Sequence, residues 1–148
     1  MNSPRAFKSF TLVFIQFLCL GLIVLTGPLL PASLILAAVQ ILGIALGTWA
    51  VLTMGLGNFN VTPDPVQSGR LVSGGPYRWI RHPMYLAVLV FALPLVLADV
   101  SILRTLLWIT LFVDLLYKLN YEEGMLQTEI PGYPDYMRHT SRLVPGIY

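Results

Sequence analysis

Two groups of residues in this chain carry side chains able to do chemistry. One is Arg81-His82-Pro83-Met84-Tyr85, preceded by Leu71, Val72 and Tyr77, and the other is Lys118 followed by Glu122-Glu123. Together they offer cations, an imidazole, phenols and two adjacent carboxylates. Carboxylates accept from ammonium and hydroxyl groups, guanidinium and ammonium groups pair with anions, and aromatic faces suit a cation. Each residue also has a plainer reading. Arg78 and Arg81 suit anchors facing anionic headgroups, and His82 before a proline suits a turn. Glu122 and Glu123 suit a solvated helix end, and Tyr77, Trp79 and Tyr85 suit an interfacial aromatic belt. Only their joint occurrence favours a site.

The elements that must position these residues are apolar. The chain has 148 residues, 56% hydrophobic and 11% charged, with a mean hydropathy of +0.74. That composition excludes an ordinary soluble domain, and the length leaves room for about one domain. A bilayer core of about 30 Å needs roughly 20 apolar helical residues. The uncharged stretches 10–30 and 33–56 meet this, and the Gly27, Pro28 and Pro31 cluster between them predicts an antiparallel hairpin. A signal peptide is the rival reading of the first stretch, after Arg5 and Lys8, but the run is long for one and no A-x-A site follows. Residues 58–83, rich in proline, glycine and arginine, read as a long polar connection. Segments 84–98 and 102–119 are weaker spans, one holding Pro94 and the other Arg104, Asp114 and Lys118. Residues 120–148 read as a polar, aromatic tail. The expectation is one domain over residues 1–148, all-α and integral to the membrane, with four transmembrane helices.

Basic residues orient such helices. Four spans place Arg5, Lys8, Arg70, Arg78, Arg81, Lys118, Arg138 and Arg142 on one side and only Arg104 on the other. Both termini and the central connection are therefore expected to be cytoplasmic. The last two helices then return Arg81 to Tyr85 and Lys118 to Glu123 to one membrane face, and a site there would admit a soluble cofactor from the cytoplasm and a lipophilic substrate from the side. His82 and His139 lack metal-ligand spacing and Cys19 lies in an apolar run, so neither a metal site nor a disulfide is expected. A net charge of +2 gives no case for nucleic acid. Gly43 and Gly47 form a G-x-x-x-G pair, which predicts close helix packing. No residue pattern sets an oligomeric state.

The run Leu71-Val72-Ser73-Gly74-Gly75-Pro76-Tyr77-Arg78-Trp79-Ile80-Arg81-His82-Pro83-Met84-Tyr85 resembles the signature of integral-membrane methyltransferases of the isoprenylcysteine carboxyl methyltransferase and phospholipid methyltransferase group. Glu122-Glu123, Tyr133-Pro134-Asp135-Tyr136 and Pro145 look like that group's C-terminal pattern. The resemblance implies S-adenosylmethionine as methyl donor. It places Leu71, Val72, Tyr77, His82, Pro83, Met84 and Tyr85 around this cofactor, with Glu122 and its neighbour Glu123 holding it from the fourth helix. Gly55-Leu56-Gly57 is a weaker counterpart of a glycine pair in the phospholipid branch. Arg81 and Lys118 are the residues expected to orient an anionic acceptor. Isoprenylcysteine enzymes commonly carry arginine at the position of Lys118, and lysine lacks its planar fork. The implied activity is methyl transfer to a lipophilic acceptor, first an isoprenylcysteine-like carboxylate. Phospholipid N-methylation, which needs a base to free the amine, is the alternative. Sterol reductases look similar around R-H-P but are far longer, and a membrane scaffold is the non-enzymatic alternative.

Overall fold

The computed structural model describes residues 4–55 and 70–147. Among them the elements are helical: α1 Pro4–Leu25, α2 Leu34–Met54, α3 Pro83–Ala98, α4 Ile102–Glu129 and α5 Tyr133–His139, with a short 3-10 helix Gly75–Arg78 ahead of α3. Most of the expected connection, residues 58–69, lies outside the described residues, as do Leu56 and Gly57.

The helices depart from the hydropathy boundaries for identifiable reasons. The first begins at Pro4 and not at residue 10, because Arg5 and Lys8 are polar yet continue the helical turn. It stops at Leu25 and not at residue 30, just before Gly27 and Pro28. Gly55, with φ of 73°, ends α2 at Met54. Pro83 occupies the first turn of α3, where a missing N–H costs nothing. The largest correction is α4, which runs ten residues past the expected end at 119. Apolarity marks where the chain meets lipid, while the helix continues through Asn120 to Glu129. The tail also gains α5, with Pro134 in its first turn.

Among the described residues two helices are long and apolar enough to cross a membrane, Ala6–Leu25 and Leu34–Met54. The apolar α3 has 16 residues, and α4 carries buried charges within its apolar part. The expected hairpin of the first two helices is not the main packing unit. Instead α1 lies chiefly on α4, α2 lies chiefly on α3, and α3 also touches α1 and α4. The turn between α1 and α2 is held by Gln40 Nε2, which donates to the Leu29 carbonyl at 3.1 Å.

Small residues explain the α2–α3 pair. A Cβ on Gly43 would stand 2.7 Å from the Phe91 backbone nitrogen, and one on Gly47 would stand 3.3 Å from Ala87 Cβ. The glycine pair therefore packs helices, as its spacing predicts. The α1, α3 and α4 faces meet in a core of Cys19, Ile23, Leu89, Ala92, Leu95, Val96, Leu111 and Leu115.

Arg104 closes one end of this bundle. It is only 1% exposed. Its Nη1 donates to the Ile23 carbonyl at 3.0 Å and to Thr26 Oγ1 at 3.3 Å, and its Nη2 donates to the Leu95 carbonyl. The carbonyls lie in the last turns of α1 and α3, where helical partners run out. Gly27 leaves the space that the guanidinium fills.

Gly43→Ala should lower the thermal stability of the detergent-purified protein by about 1–3 kcal/mol, the cost of overpacking a close contact. Gly21, where an added Cβ meets nothing within 4 Å, supplies the control. Equal melting temperatures for Gly43→Ala and Gly21→Ala would contradict the close packing.

Candidate active site

The segment before α3 is shaped locally. Gly75, with φ of 51°, turns beside Thr53 and Trp49 of α2, and a Cβ there would sit 2.5 Å from Thr53 Oγ1. The 3-10 helix then places Tyr77 inward, and Trp79 meets Trp49 edge-on at 6.1 Å between ring centres. Residues 79–82 are laced to the C-terminal tail. Ser141 N donates to the Trp79 carbonyl at 3.0 Å, Arg81 N to the Ser141 carbonyl at 2.8 Å, and His82 N to the Arg142 carbonyl at 3.1 Å.

Side chains continue this lacing. Arg81 Nε lies 2.6 Å from Glu123 Oε1, and His82 Nε2 lies 3.3 Å from the same oxygen. Arg142 Nε lies 3.1 Å from Glu123 Oε2. That contact is within ion-pair range but off the hydrogen-bond direction, so Oε2 receives no hydrogen bond. Arg81 Nη1 also donates to the carbonyls of Met137, at 3.2 Å, and Thr140. Glu123 is thus engaged on three sides and only 2% exposed. Burial alone would raise its pKa, but hydrogen bonds from His82 and Arg81, with their charges, prevail and hold it down at about 2.

Glu122 has a different environment. Its carboxylate is 26% exposed. Tyr85 OH donates to Oε2 at 2.7 Å, and His82 Nδ1 lies 3.6 Å from the same oxygen. The His82 and Tyr85 rings stack with centres 5.3 Å apart and planes 5° apart. His82 therefore stands between the two glutamates, one on each ring nitrogen. Tyr77 is buried, and its carbonyl accepts from Tyr136 OH at 2.6 Å. Its own hydroxyl has no hydrogen-bond partner. Burial first, then Glu122 and Tyr136, push that hydroxyl above its ordinary range, so it stays protonated and available as a donor.

The remaining expected residues fall around this cluster. Pro83 is buried and Met84 half-buried at the start of α3, while Leu71 and Val72 are half-buried. Leu71 lies against the Gly132 turn between α4 and α5. Lys118 is 2% exposed. Its Nζ donates to Gln16 Oε1 of α1 at 2.9 Å and lies 5.2 Å from the Tyr85 ring centre. A shallow groove of about 400 Å³ runs between Arg81 and the tail, and none of Tyr77, His82, Tyr85 or Glu122 lines it.

Sequence reading missed the tail's part in the site, Gln16 as the partner of Lys118, and the separate environments of the two glutamates. A lone glutamine in an apolar helix was the available signal for Gln16. Nothing in the order Glu122-Glu123 shows which one turns inward, because that depends on where the tail docks.

This arrangement brings R-H-P, at the start of α3, against the paired glutamates of α4. The sequence model of the isoprenylcysteine carboxyl methyltransferase family matches residues 34–128, close to two thirds of the chain. The chain belongs to that family. Neither the curated proteins nor the solved structures give a significant match.

The Glu123 pKa sets the acid limit of the laced tail. Its folded value of about 2 lies below the ordinary 4.5, so its stabilisation is complete above pH 4.5 and is lost as pH falls through 2. The loss should approach roughly 3 kcal/mol. Melting temperature followed from about pH 5 to about pH 2 should fall more steeply in the wild type than in Glu123→Gln, and parallel curves would show that Glu123 is not the group responsible.

Proposed function

We propose that the protein transfers a methyl group from S-adenosylmethionine to a lipophilic acceptor, with an isoprenylcysteine-like carboxylate as the first acceptor class. The observation that carries this reading is the contrast between the two glutamates. Glu123 is buried with protein cations against both carboxylate oxygens, while the partly exposed Glu122 and the unpartnered Tyr77 hydroxyl keep polar capacity beside a stacked His82–Tyr85 pair. That set fits S-adenosylmethionine, which has an ammonium, ribose hydroxyls and a sulfonium. A carboxylate accepts from the first two, a phenol donates to a carboxylate or ring nitrogen, and aromatic faces tolerate the third.

When bound, the cofactor supplies an electrophilic methyl group. The chain's own residues bind, align and exclude water. Glu122 and Tyr77 hold the cofactor, with Leu71, Val72, Pro83 and Met84 as its apolar surround. Tyr85 and His82 fix the Glu122 carboxylate in one orientation. Arg81 and Glu123 act as positioning residues, because their contacts hold the R-H-P segment against the tail. Lys118, with Nζ 5.2 Å from the Tyr85 ring centre, is the residue for the polar head of an acceptor entering from lipid.

In this reading α3 and the apolar part of α4 complete a four-helix membrane domain spanning the whole chain. Lys8 supports the placement of the basic residues at one end. It sits 4.8 Å from the Tyr117 ring centre and 4.3 Å from that of Tyr121, near the same end of α4 as Glu122. By the charge rule that end is cytoplasmic, which gives the polar cofactor access from water.

Removing a hydrogen bond to a charged group costs about 1.5–3 kcal/mol. Glu122→Ala should therefore weaken S-adenosylmethionine binding about 10-fold or more by calorimetry in detergent, with little change in melting temperature. Lys118→Ala should lower methylation of a total lipid extract more than it lowers cofactor affinity. Unchanged affinity in Glu122→Ala would remove the basis of the reading.

A further inference from the structure

Asp114 is 6% exposed, and neither carboxylate oxygen has a hydrogen-bond partner. It is flanked along α4 by Leu111 and Leu115, both fully buried. Among the described residues it is the only side chain to leave two buried polar atoms unpartnered. A carboxylate in that state is costly inside a membrane, and it marks a functional position more often than a structural one.

Its position gives that unmet capacity a direction. Asp114, Lys118 and Glu122 stand at intervals of four on α4, so they form one ridge on one face of the helix. Gln16 of α1 caps Lys118, and Tyr85 of α3 caps Glu122. Asp114 interacts electrostatically with Cys19 of α1, Tyr85 of α3 and Lys118. None of these donates a hydrogen bond to it. The ridge begins at the proposed cofactor site and descends about 12 Å to Asp114 where α1, α3 and α4 meet.

We propose that Asp114 is a specificity residue for the acceptor and takes an N–H or O–H donor on the acceptor's polar head. This inference rests on the methyl-transfer reading and deepens it. The acceptor head must carry a hydrogen-bond donor, in an amine or a hydroxyl, and not only an anionic group for Lys118. Asp114 then excludes lipids whose heads offer acceptors alone, because the bound head would leave its carboxylate buried and unmatched.

The test uses the detergent-purified full chain and four single-chain probes of equal length: dodecylamine, dodecanol, laurate and methyl laurate. Dodecylamine or dodecanol, at saturation, should raise the wild-type melting temperature by several degrees, and the choice between them identifies the donor. Methyl laurate, which carries no donor, should not. Asp114→Leu removes an unmatched carboxylate, so it should fold with an unchanged or higher melting temperature, lose the amine or alcohol shift, and leave any laurate shift as it was. Asp114→Asn, close in shape, provides the same comparison if leucine perturbs the packing. The proposal is overturned if neither donor probe shifts the wild type, if both variants keep the shift, or if the laurate shift is lost along with it. S-adenosylmethionine affinity is measured on the same samples. Cofactor binding without a donor shift removes the Asp114 role alone, and a donor shift without cofactor binding removes the methyl-transfer reading alone.

Discussion

The Glu123 carboxylate is the contact on which the rest of the site depends. It receives Arg81 and His82 from the segment before α3 and Arg142 from the tail. Burying one anion is unfavourable unless cations and hydrogen bonds compensate it, and here guanidinium groups from two separate parts of the chain do so. The consequence reaches beyond the ion pairs. With Nε2 of His82 turned to Glu123, its Nδ1 side faces Glu122, and Tyr85 stacks on the same ring while donating to Glu122. An acid at position 123 thereby sets the orientation of the acid at position 122.

The opposite end of the bundle is closed by the same kind of device with its sign reversed. Among the described residues Arg104 has no carboxylate partner, and it donates to carbonyls in the last turns of α1 and α3. Those oxygens are the negative ends of two helices. Between Arg104 and Glu123 lie an apolar core and a close α2–α3 contact made possible by Gly43. A small helical chain with few charges has used buried ones to fasten both ends, where helix termini leave backbone groups without partners.

Much of this was legible in the residues. Four apolar segments, the G-x-x-x-G contact and the meeting of R-H-P with Glu122-Glu123 all follow from composition and spacing, because they are set locally or by a single hairpin. What sequence did not show is where the chain pairs over longer distances. Hydropathy stops at residue 119 because it reports the solvent, whereas α4 continues to Glu129 on backbone hydrogen bonds that hydropathy does not register. The partners chosen by α1 and α2 depend on surface relief: Gly43 offers α3 a flat face, and Gln16 offers Lys118 an acceptor. The tail's lacing depends on backbone donors at Arg81, His82 and Ser141, and backbone groups are the same in every sequence.

Whether the protein satisfies each buried polar group sorts the site residues, although Ser9, Arg104 and Glu123 also keep one atom without a hydrogen bond. Arg81, Glu123 and Lys118 look chemically active in sequence, yet each is already held by protein partners. Tyr77 precedes R-H-P and Asp114 interrupts an apolar segment, and both are buried with polar atoms that no protein group hydrogen-bonds. A buried polar group left unmatched weakens the folded state, so a fold that keeps such groups at Tyr77 and Asp114 gains stability when something binds there. Glu122 lies between these classes, half satisfied by Tyr85 and half open. Tyr77 lies toward the Glu122 end of the α4 ridge, and Asp114 stands at the other end. Under the proposed function the Tyr77 end serves a polar methyl donor and the Asp114 end the head of a lipid.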